Sequence, residues 1–135
     1  MKSFLFVLFI LISFDLFAQT ITPKPIYEGS QSLTIDILQS GRIWFGFQNP
    51  DYKTIVDIKS FTVNSKDKAI ELIDKAIYIL AMNKTDRDQH IRDEYENVSL
   101  TRYGFDQKQV YLSNDLRLNL NECNKIKQSL KNYPN

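Results

Sequence analysis

The chain has 135 residues, with 17 basic and 16 acidic side chains, one histidine and a net charge of +1. This balance excludes a general nucleic-acid binder, which shows a basic excess or stripe, and gives no electrostatic reason to sit on anionic lipid. A single cysteine, Cys123, excludes an intramolecular disulfide, so packing alone must hold the fold.

Met1-Lys2-Ser3 is a short basic start, Phe4 to Phe14 is an apolar run broken only by Ser13, and Asp15 ends it before Leu16-Phe17-Ala18 and Gln19. A basic start, a short apolar stretch and a small residue at the cut predict a cleavable signal peptide over residues 1–18. The run is too short to cross a bilayer, which takes about 20 residues. It resembles bacterial signal peptides, and the Phe-Ala-Gln junction resembles those of Gram-negative bacteria; the resemblance covers the first 19 residues only. No cysteine stands at the junction, so the lipoprotein signal is absent. The expected location is the periplasm or the outside of the cell, with no integral membrane contact after cleavage. Lys2 and Asp15 leave together, so the charge is unchanged.

Residues 19–32, with Pro23 and Pro25, read as an extended lead-in and spacer. A single α+β domain is expected over 33–135. Leu33, Ile35 and Ile37 alternate with polar residues, the mark of a half-buried strand. After a Gln39-Ser40-Gly41 turn, Arg42 to Gln48 is a second strand, with Ile43, Phe45 and Phe47 on one face. Tyr52 to Val63 is a third, whose shift of phase predicts a bulge near Lys59-Ser60. Asn64 is the expected N-cap of a helix to about Met82, with Ala69, Ile70, Ile73, Ala76, Ile77 and Leu80 as its apolar stripe and Glu71-Lys75 as an i,i+4 pair. The charged stretch 83–96 reads as a solvated loop or a polar extension of that helix. Strands then resume over Asn97 to Tyr103, Gln107 to Ser113 and Leu116 to Leu120, with a tight turn at Asn114-Asp115. Asn121 is the expected cap of a last helix carrying Cys123, Ile126, Leu130 and Tyr133 on one face, stopped by Pro134. The order is ββ(β)α–ββ(β)α, a faint internal repeat. It predicts an α+β fold: an antiparallel sheet of five to six strands with both helices on one face.

Trp44 and Gly46 point opposite to Ile43, Phe45 and Phe47, so they fall on the outer sheet face, with a bare gap at Gly46. Tyr103 and Tyr111 are expected to share that face and form an aromatic strip with Trp44. The competing reading lays the lead-in over Trp44 as a cover. His90, in Asp86-x-Asp88-x-His90, offers a poor metal site: an EF-hand would need Gly at Ile91 and Glu at Asn97, and zinc would need more His or Cys. Cys123 reads as a buried thiol. The carboxylates of 86–96 lack the apolar cleft that acid–base hydrolysis needs, and no phosphate-loop, dinucleotide or nucleophile-elbow motif occurs.

No cofactor, metal ligand or catalytic residue is expected. The reading is an exported, non-enzymatic binding protein with another protein as partner, in the manner of an inhibitor, an immunity-type protein or an accessory subunit of an envelope complex. Trp44, Gly46, Tyr103 and Tyr111 are its candidate contact residues. The alternatives are a small carboxylate-dependent hydrolase using Asp86, Asp88 and Glu94, or a passive envelope protein.

Overall fold

Strand alternation lays out the first half of the computed structural model, which describes residues 24–50 and 57–135. The signal peptide, residues 19–23 of the lead-in and the start of the expected third strand lie outside the described residues. Strands β1 (Tyr27–Glu28), β2 (Thr34–Ile37), β3 (Ile43–Gln48) and β4 (Ile58–Val63) form an antiparallel meander in sequence order. Ile35, Phe45 and Phe61 sit abreast across it, and the Phe45 and Phe61 rings stack at 4.7 Å. Burying one such side chain is worth roughly 1.5–3 kcal/mol.

Helix α1 (Lys66–Ala81) follows. Strands β5 (Ile91–Tyr95), β6 (Val98–Arg102), β7 (Gln109–Leu112) and β8 (Leu116–Asn119) then form a second antiparallel meander, closed by α2 (Leu120–Asn132). The fold is α+β, as the sequence predicts, and the helices pack on one another. Helix α1 reaches β4 of the first sheet and β5, β6 and β7 of the second; α2 reaches β8 and β1. One apolar cluster runs through both halves, from Leu33 to Leu130.

Two four-stranded sheets replace the expected single sheet of five to six strands: two segments not read as strands each supply an edge strand, and the first four strands do not pair with the last four. Tyr27 pairs with Ile35, so the lead-in joins β2 instead of serving as a spacer. The stretch 83–96 splits into a loop and β5, paired with β6 from Ile91↔Arg102 to Tyr95↔Val98. The register from Ile43↔Val63 to Gln48↔Ile58 is unbroken, so there is no bulge at Lys59-Ser60; Ile58 falls on the outer face, 62% exposed.

Both helix caps shift. Ser65, not Asn64, accepts the Lys68 N–H, and Asn119, not Asn121, caps α2 in a reciprocal box with Glu122. Measured from these caps, buried side chains recur at matching offsets: Ala69, Leu72 and Ala76 in α1, and Cys123, Ile126 and Leu130 in α2. The stripe of α1 thus turns toward Leu72 and Ile79, leaving Ile70, Ile77 and Leu80 at its margin. In the β7–β8 turn the positive φ angles fall on Ser113 (50°) and Asn114 (68°), one residue earlier than expected.

Candidate functional site

The outer face of the first sheet is built by the even-numbered residues of β2, β3 and β4. Trp44 stands between Asp36 and Thr62, and Gly46 between Thr34 and Ser60. The gap expected at Gly46 is filled: a Cβ built there would lie 1.9–2.6 Å from atoms of the indole six-membered ring. Only glycine lets Trp44 lie down along its own strand, one ring face on the backbone and the other turned outward. Trp44 is half-buried, and among the described residues the lead-in runs along the sheet edge instead of across this face. Beside the ring, Thr34, Gln48 and Ile58 border a shallow open depression of about 190 Å³.

Tyr103 and Tyr111 do come together, with ring centroids 4.8 Å apart at 85°. Tyr111 lies on β7 of the second sheet and Tyr103 just past the end of β6, however, so no continuous strip with Trp44 forms. The Tyr103 ring stacks on Phe105 at 5.0 Å, and His90 meets both rings edge-on at 5.0 and 6.1 Å. The Arg117 guanidinium lies over the Tyr111 ring, 5.4 Å from its centroid. Tyr111 donates to Asp106 at 2.8 Å; burial first, and that hydrogen bond second, raise its pKa above the usual phenol value.

The ring cluster rests on a clamped loop. The Gln107 carboxamide accepts from Thr85 N at 2.9 Å and donates to Thr85 O at 2.7 Å. Gly104 is pressed on the carbonyls of Asp86, Arg87 and Gln89, where an added Cβ would meet backbone oxygen at 2.1–2.6 Å. Its N–H donates to His90 Nδ1 at 3.2 Å, so His90 is a packed ring as well as an exposed one. Phe105 is displayed on this loop at 61% exposure.

Two exposed apolar residues escape the sequence reading. Ile58 is hidden by the assumed bulge, although unbroken alternation back from Val63 would have placed it beside Trp44. Phe105 carries a usable signal, a large apolar residue inside the Gly104-Phe105-Asp106 turn.

Cys123 is fully buried, and burial followed by the Glu122 charge pushes its pKa up to about 12, so at neutral pH it is an inert thiol. Among the described residues no cluster of three or more His, Cys, Asp or Glu is placed to hold a metal, and no helix is long and apolar enough to cross a membrane. Comparison with protein-family models, curated proteins and solved structures finds no match for this chain.

Proposed function

We propose that this is an exported, non-catalytic binding protein that engages another protein through the outer face of its first sheet, with Trp44 as anchor. The observation that carries the reading is the indole laid on Gly46: a rigid aromatic surface, half open to solvent, with the exposed Ile58 along the same face. Large aromatics held in fixed positions dominate binding energy at protein interfaces because they bury much area at little entropic cost. Thr34, Asp36, Ser60 and Thr62 supply a polar surround of the kind such anchors have.

The test compares the proteins retained from the native host's envelope by wild type, Trp44→Ala and Gly46→Ala. The two variants act differently: one deletes the ring, the other lifts it from the sheet. Both are expected to lower affinity for the retained partner by at least about 30-fold, a hot-spot loss of about 2 kcal/mol, while Tyr111→Phe leaves it unchanged. Equal retention by all four proteins would remove Trp44 from the interface. Export is tested separately by mass spectrometry of the protein from envelope fractions. The reading requires a chain beginning at Gln19; a chain retaining Met1 and found only in the cytoplasm would overturn it.

A further inference from the structure

The two halves treat their outward aromatic residues differently. In each, the third strand carries one on its outer face: Tyr111 on β7 and Trp44 on β3. The fourth strand of the second half sets Arg117 directly across from Tyr111, and its guanidinium lies over the ring, 5.4 Å from the centroid. The fourth strand of the first half sets Thr62 across from Trp44, a side chain too short to cover an indole. Tyr111 is 9% exposed, whereas Trp44 keeps an open face.

Asp36 flanks Trp44 on the other side, as its cross-strand neighbour on β2. One Asp36 oxygen accepts the Ile37 N–H at 2.8 Å, and no lysine or arginine among the described residues pairs with the carboxylate. Glu28, opposite Thr34 on the same face, is exposed and likewise has no cation among the described residues. Thr34, Ser60 and Thr62, the other near neighbours of the ring, carry no charge. Arg42, two residues before Trp44, is exposed and stacks on no ring among the described residues. The outer face of the first sheet thus joins a flat ring to carboxylates that lack a cation.

We propose that an arginine of the protein partner takes, over Trp44, the place that Arg117 takes over Tyr111, with Asp36 holding it there; this rests on Trp44 being the anchor of the interface. An aromatic face attracts a cation through the negative charge above its ring, and a carboxylate beside it adds charge-assisted hydrogen bonds. A guanidinium answers both groups at once, its flat face on the indole and its N–H edge on the carboxylate; a lysine ammonium has no flat face to lay down. The partner segment is therefore basic, and Glu28 lies on the same face to meet a second positive charge.

Trp44 is the only tryptophan in the chain, so its indole N–H gives one signal in a nitrogen-correlated NMR spectrum. The purified protein is titrated with the capped tripeptide acetyl-Ala-Arg-Ala-amide and with the same peptide carrying Gln or Glu at its centre. The Arg peptide is expected to shift the indole signal along a saturating curve, while the Gln and Glu peptides leave it in place. Asp36→Asn keeps the oxygen that accepts the Ile37 N–H and is expected to weaken the Arg peptide about fivefold, as for an exposed ion pair. Raising salt from about 0.02 M to about 0.5 M weakens it similarly in wild type, with no substitution at all. Arg and Gln peptides that act alike, or an affinity indifferent to both Asp36→Asn and salt, would overturn the proposal. A host partner lost with Trp44→Ala but bound by Asp36→Asn as tightly as by wild type keeps the anchor and removes the arginine; equal retention by wild type and Trp44→Ala removes both.

Discussion

Arg102 shows how much one side chain does here. It is 1% exposed and has no carboxylate partner among the described residues; its guanidinium donates to the carbonyls of Ile79 (3.0 Å), Met82 (2.8 Å) and Asn83 (2.6 Å). The Ile79 carbonyl, which also accepts the Met82 N–H, belongs to the last turn of α1, and the Met82 and Asn83 carbonyls lie just beyond it; a cation suits the negative pole of a helix. Burying a charge costs several kcal/mol unless its donors are used; here three bonds repay much of that cost, although Nε lacks a partner. Arg102→Met is expected to lower unfolding free energy by about 2 kcal/mol in urea titrations. A change below about 0.5 kcal/mol would mean that water satisfies the helix end equally well. The alternation of β6 places residue 102 on the inner face with Val98 and Leu100, but nothing in a lone sequence says that an inward arginine will meet a helix terminus.

At the scale of elements, β5 is the strand that sequence could not reveal. Ile91–Tyr95 has three exposed charged residues between two half-buried ends, so no apolar alternation exists to read. Ile91 and Tyr95 pack against the apolar core, and polar contacts tie the strand to α1. Tyr95 donates to Glu71, and Lys75 reaches Asp93 at 3.1 Å and the Glu94 carbonyl at 3.1 Å, in place of the expected Glu71-Lys75 pair. The Tyr95 hydrogen bond, with Lys68 second, holds Glu71 below its ordinary pKa; the Glu94 N–H, with Lys75 next, does so for Asp93. Each carboxyl group binds its proton more weakly folded than unfolded. The stabilisation is therefore present at neutral pH and is lost as pH falls through the depressed folded values. Hydrogen exchange, corrected for intrinsic rates, should show β5 protection fading below about pH 4 while β7 stays protected. Simultaneous loss in both strands would contradict this. By contrast β3 was fully legible, since Ile43, Phe45 and Phe47 alternate with Trp44 and Gly46. The caps missed by one or two residues because cap-type side chains adjoin: Asn64 next to Ser65, Asn121 near Asn119. The Asn119-x-x-Glu122 spacing was the available discriminator. The Tyr103–Tyr111 pairing was legible, but its separation from Trp44 was not, because alternation within each strand does not say which strands pair, and here the first four pair only among themselves.

For the whole molecule, the two ββββα halves repeat a topology but do not make independent bodies. The apolar cluster crosses between them, and α1 packs on α2. Unfolding should accordingly be one transition. Trp44 lies in the first sheet and Cys123 in the last helix, so one probe reports each half: indole emission and thiol labelling in urea are expected to share a midpoint. Separate midpoints would show that the halves melt as distinct units.

The hold that Arg102 has on α1 also sets an order in time. The carbonyl of Met82 receives its partner from a residue 20 positions later in the chain. During synthesis the first helix emerges with its C-terminal end open, and it stays so until β6 has cleared the ribosome and turned back. The early half of the polypeptide is thus completed by the later half, and a ribosome stalled between residues 83 and 102 would present an unfinished helix to any chaperone or protease nearby.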